Sequence, residues 1–264
     1  MQRTALMLSA AVAVFAACET PTVARMGQID LRLTDAPSDT LSSATVWISK
    51  VYLAGGDSGR VVISDTAAVY DLLSLQGGVT AALGSKSIPV GDYEQLRLVV
   101  DSADVVLKPG LTFADGSTSQ TLRVPSGMQT GIKVSFAGPI HVAPGETDLV
   151  VDFDVARSFV FMGTSGKPDG ILFKPVIHAS TQDVAGSISG TSLPDTAHAH
   201  LFAISGSDTV ATTTPDSAGS YTLWFLPPGT YTVADQGTGF KTQTQSVTVG
   251  AAEHVTGVNF TLAQ

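Results

Sequence analysis

From Gly27 to the C terminus, apolar and polar residues alternate in short runs, and a period of two leaves little room for anything but β-strands. Gln28-Ile29-Asp30-Leu31-Arg32-Leu33 is the first such run; successive side chains of a strand point to opposite faces, so Ile29, Leu31 and Leu33 share one. Similar runs at 45–53, 60–63, 93–100, 105–108, 120–124, 132–136, 147–155 and 171–177 are separated by turn residues. Helical spacing shows only in 66–82, where Val69, Leu72, Leu73, Leu75 and Val79 roughly follow it. Gly77-Gly78 interrupts that stretch, which predicts a turn or two at most. The fold class expected is all-β.

Near Asp183 a second, complete set of strand patterns begins, at 186–190, 197–204, 219–225, 230–233, 244–249 and 255–262. Leu226-Pro227-Pro228-Gly229 forms a tight turn within it. Short strands with polar breaks argue for a sandwich or a barrel, and the expectation is two β-sandwich-like domains, 27–183 and 184–264. About 80 residues suffice for the second to fold as a unit.

The N-terminal segment reads differently. Arg3 precedes an uncharged apolar run over 5–17, too short for a membrane span, which needs roughly 20 residues. It ends in Phe15-Ala16-Ala17-Cys18, the pattern of a lipobox, and Cys18 is the only cysteine among 264 residues. An exported chain with one thiol forms no internal disulfide, and acylation explains the thiol. The expectation is a cleaved lipoprotein signal peptide at 1–17 and a lipidated tether at 18–26. Acylated Cys18 would hold the protein to a lipid bilayer in a bacterial cell envelope, at the outer membrane or cell surface. The alternative is a soluble secreted protein whose signal happens to end in Ala-Ala-Cys. Losing residues 1–17 removes one Arg and no acid, taking the formal charge from −9 to −10. Such a chain offers no basic surface, so nucleic acid is not a partner. With 44% hydrophobic residues, disorder is excluded as well.

Few residues suggest chemistry. Asp152 and Asp154 flank Phe153, which on a strand places both carboxylates on one face about 7 Å apart. That spacing suits an inverting hydrolase or a structural calcium ion, and equally an outward polar face behind a buried Val151-Phe153-Val155 stripe. Asp35 and Asp39 read as turn residues, as do Asp101 and Asp104. His198 and His200 alternate with Ala197, Ala199 and Leu201, so they project outward with Phe202. Two histidines do not complete a zinc site without a third ligand. Trp224 points away from the expected core row Tyr221, Leu223 and Phe225, either as a stacking platform for sugar rings or as a domain interface. No nucleophile elbow, phosphate loop, dinucleotide fingerprint or zinc-protease helix is present, and no cofactor is implied.

Two resemblances attach to these residues. Leu33-Thr34-Asp35-Ala36-Pro37-Ser38-Asp39, Tyr70-Asp71-Leu72-Leu73-Ser74-Leu75, Ile88-Pro89-Val90-Gly91-Asp92-Tyr93 and Val151-Asp152-Phe153-Asp154-Val155-Ala156-Arg157-Ser158 occur in that order. Together they resemble the exported bacterial family called domain of unknown function 4382. Gly219-Ser220-Tyr221-Thr222-Leu223 and the segment from Leu226 to Val233 are similar to a carboxypeptidase regulatory-like domain, a prealbumin-type sandwich. The second resemblance implies an accessory module, and neither implies a reaction. The expected function is a non-catalytic binding or structural module, with a glycan or an envelope protein as partner and Trp224, His198, His200 and Phe202 as the binding residues. The alternative is an envelope hydrolase using Asp152 and Asp154.

Overall fold

The computed structural model describes residues 25–264 except 36–37, 39, 56–58, 125–129, 135, 137 and 165–166. The expected signal peptide, Cys18 and the tether up to residue 24 lie outside the described residues, as does Asp39. No helix among the described residues is long and apolar enough to cross a membrane.

The first half runs β1 (Met26–Asp35), β2 (Leu41–Ala54), β3 (Arg60–Ser64), β4 (Ala68–Asp71), β5 (Ala81–Pro89), β6 (Gly91–Tyr93) and β7 (Gln95–Leu107). It continues through β8 (Ser119–Arg123), β9 (Ile132–Val134), β10 (Ile140–Val142) and β11 (Glu146–Phe153) to a one-turn helix, α1 (Val155–Ser158). β12 (Phe159–Thr164), β13 (Lys167–Phe173) and β14 (Ile177–Thr181) complete it. One sheet has the order β14-β11-β1-β5, with β1 and β11 parallel. A second is built on β3-β2-β7-β8, with β4 and β9 added to β2 and β7, and two-stranded ladders β6-β10 and β12-β13 accompany them. Alternation explains why they pack: Ile29, Leu31, Leu33, Leu149, Val151 and Phe153 from the first sheet meet Val46, Ile48, Leu96, Leu98 and Val100 from the second in one core. The expected helical stretch reduces to a single 3-10 turn, Leu72–Leu75, before the Gly77-Gly78 turn.

The second half has β15 (Gly186–Leu193), β16 (His200–Ser205), β17 (Asp208–Thr213), β18 (Ser220–Leu226), β19 (Gly229–Gln236), β20 (Gln243–Val249), β21 (His254–Val255) and β22 (Phe260–Thr261). β18-β15-β21 forms one sheet, with β22 also on β15, and β17-β16-β19-β20 forms the other. Ile188, Leu201, Ala203, Tyr221, Leu223, Tyr231, Val233, Val247 and Phe260 fill the space between them. The two cores share no residue: the first ends at Ala179 and the second begins at Ile188.

Three local readings are corrected. The run 171–177 is two strands, because Pro175 cannot donate to a ladder and the chain breaks over 174–176. The run 197–204 becomes a strand only at His200; a 3-10 turn at Asp195–Ala197 precedes it, and His198 adopts left-handed backbone, φ 44°. Phe225 leaves the core row: its φ of 57° marks an irregularity in the β15–β18 register, and Leu226 takes the buried place instead.

Candidate functional site

The end of β11 sets the site. Asp152 is its penultimate residue and faces His178 across the antiparallel pairing with β14. The expected shared strand face with Asp154 does not form, because β11 stops at Phe153. Asp154 is the N-cap of α1, and its carboxylate accepts from the Arg157 backbone N–H at 2.9 Å. Asp is favoured there because its side chain satisfies a donor that the first helical turn leaves free. Val151, Phe153 and Val155 are buried as the stripe predicts. Asp35 is no turn residue: it ends β1, is buried, and accepts from the Val155 N–H at 3.1 Å, holding the helix start from below. Asp101 and Asp104 likewise lie within β7, where Asp101 accepts from the Ser49 hydroxyl at 2.9 Å.

Against this end of the first domain sits the second. Arg157 Nη1 donates to the Thr209 carbonyl at 2.9 Å, and Ser180 Oγ donates to the Phe225 carbonyl at 3.0 Å. Between these bonds lies a cleft of about 400 Å³. Asp152, Arg157, His178 and Ser180 of the first domain line it, with Ser205, Asp208, Val210, Phe225 and Pro227 of the second. Burial, and then the neighbouring Asp154 carboxylate, push the Asp152 carboxyl up to about 7. Burial also raises Asp154, a shift that the Arg157 amide and guanidinium oppose. Desolvation holds His178 below its usual value, with Arg157 acting in the same sense and Asp208 against it. The Nε2 atom of His178 is wholly buried and has no hydrogen-bond partner among the described residues.

Trp224 lies beside this cleft, packed on the first domain. Thr34 Oγ1 bonds the Leu75 carbonyl at 3.0 Å and the Val79 carbonyl at 2.9 Å, pinning the Gly77-Gly78 turn to β1. A Cβ built on Gly78 would lie 3.4 Å from the Trp224 indole, so the ring covers bare backbone that only a residue tolerant of φ 87° supplies. Trp224 stays 41% exposed. His200 and Phe202 stack at 6.3 Å elsewhere: Leu201 and Ala203 share one core with Tyr221 and Leu223, so β16 and β18 turn their outer faces in opposite directions. His198 joins neither group; it lines a polar hollow with Lys108 and Asp195. The four residues expected as one binding face are therefore divided among three places.

Apart from Asp152 and Asp154, three further carboxylates gather at the other end of β11: the oxygens of Asp30, Glu146 and Asp148 lie within 4.8 Å of one another. The parallel register sets Asp30 opposite Asp148, and their charges raise the exposed Glu146. Nothing in the sequence indicates a pairing across more than a hundred residues.

Comparison with known proteins matches residues 26–175 to the family described as Domain of unknown function (DUF4382), and residues 183–263 to the carboxypeptidase regulatory-like domain. No curated protein matches significantly. Among solved structures, the TIE protein of Bacillus anthracis is 10% identical at a TM-score of 0.26, covering 91% of this chain and 35% of its own. A streptococcal ancillary pilin is 13% identical at 0.24, covering 92% and 64%. A fimbrial protein from Bacteroides ovatus is 9% identical at 0.20, covering 91% and 51%. The chain thus spans between about a third and two-thirds of the length of these proteins.

Proposed function

Because the chain belongs to the DUF4382 family and carries a carboxypeptidase regulatory-like domain behind it, we propose that it is a non-catalytic binding and structural module of the bacterial cell envelope. In this reading acylated Cys18 anchors it, its two β domains act as one docked body, and the partner is a glycan or an envelope protein. The seam carries the reading. Trp224 lies on the Gly78 backbone, Arg157 and Ser180 bond across to the second domain, and Asp154 is buried beneath it. The hydrolase alternative needs two carboxylates free to act on substrate and water. Asp154 is instead 2% exposed and committed to capping α1, which favours the non-catalytic reading.

The test has two parts. Full-length protein should partition into detergent and carry acyl label, and Cys18→Ser should lose both. Limited digestion with thermolysin should leave residues 182–185 intact in the folded protein. Persistence of the detergent partition in Cys18→Ser removes the anchor from this account, and rapid cleavage at 182–185 removes the docked body.

A further inference from the structure

We propose that the cleft between the two domains is a binding site for an uncharged, polyhydroxylated ligand, a carbohydrate of one or two rings. This rests on the docked body above, since Asp152, Arg157 and His178 come from one domain and Asp208, Val210 and Phe225 from the other. Its volume of about 400 Å³ falls within the range of small-molecule sites, which occur preferentially at domain interfaces.

The chemistry of the wall selects the ligand. His178 and Asp152 face each other across the β11–β14 pairing and both line the cleft, so a ligand there meets an imidazole and a carboxyl side by side. At neutral pH His178 is uncharged, and Asp152, displaced to about 7, carries its proton part of the time. Both groups then offer donor and acceptor capacity without a full charge, and hydroxyl groups match them because they also donate and accept. Arg157 and Asp208 line the same cleft with opposite charges, so a full charge of either sign on the ligand meets a like charge. Phe225, Val210 and Pro227 supply an apolar patch for the C–H face of a sugar ring. The outer His200–Phe202 face offers no such enclosure.

Calorimetric titration of the full-length protein in detergent micelles at pH 7 tests this, with glucose, galactose, N-acetylglucosamine, maltose and cellobiose as probes. At least one should bind with a Kd between roughly 10 μM and 10 mM. Ser205 is exposed at the rim, so Ser205→Trp should fill the opening and weaken binding by about ten-fold or more. His178→Ala, which keeps the cleft open, should weaken it as well. The site is overturned if none of the five sugars gives heat up to ~50 mM, or if binding survives Ser205→Trp but is lost in Phe202→Ala. Thermolysin resistance at 182–185 separates the two failures. A resistant protein that binds no sugar overturns the site alone, whereas a cleaved one overturns the docked body on which the site depends.

Discussion

Trp224→Ala isolates the docking contact. About three-fifths of Trp224 is covered, since 41% stays exposed, and a Trp residue carries up to about 250 Å². Covering ~150 Å² at about 25 cal/mol per Å² gives an upper bound near 4 kcal/mol. Part of that cover comes from its own strand, including Phe225, whose ring centroid lies 6.4 Å away. The share due to Gly77 and Gly78 is therefore about 1–2 kcal/mol. Urea unfolding of the full chain should show the second domain losing this amount, while fragment 184–264 with the same substitution loses less than ~0.5 kcal/mol. Hydrogen exchange at Gly78 and Val79 should also quicken. Equal losses in the fragment and the full chain would mean that Trp224 stabilises only its own sandwich, and the docking argument would fail.

Other substitutions probe the carboxylates. Asp152 is raised in the folded state from 3.8 to about 7, so the fold binds the extra proton. Its contribution is fully present below about pH 4 and is lost as pH rises through 7. Asp152→Asn should remove that loss, gaining of order 1–3 kcal/mol at pH 8 and little at pH 4, measured by paired melts. His178 works in the opposite sense: its lowered value means stability falls as pH drops below the ordinary histidine range, and His178→Gln should flatten that acid limb. Asp235 is fully buried, and burial raises it with only partial relief from Ser192. Asp235→Asn should therefore stabilise the second domain increasingly as pH rises; a destabilised variant at pH 8 would refute this. Asp154→Ala should cost about 1 kcal/mol as a lost cap, by the same amount with and without a calcium chelator; a loss that appears only without chelator would restore the calcium reading.

The alternation of Ile29, Leu31 and Leu33, and of Val151, Phe153 and Val155, was legible because a period of two maps directly onto buried and exposed faces. β5 was not legible: at the sheet edge it buries only Leu83 and Ile88 and exposes Ser85, Lys86 and Ser87, so no alternating stripe marks it. Alternation also misplaced Phe225, because one left-handed residue shifts every later side chain by a position. The seam escaped the sequence for a different reason. Asp152, His178 and Asp208 are spread over 57 positions, and only strand pairing plus domain docking brings them to one cleft. Asp152 was singled out from its neighbour Asp154, yet the partner that faces it is His178, just past the run 171–177.

Whether the two domains move as one body can be read from NMR relaxation of the ¹⁵N-labelled protein. A docked body gives a single rotational correlation time for amides of β1–β14 and β15–β22, with one alignment tensor fitting residual dipolar couplings from both. Two distinct correlation times, or two tensors that cannot be reconciled, would show domains tethered through 182–185 and moving independently, with no docked body.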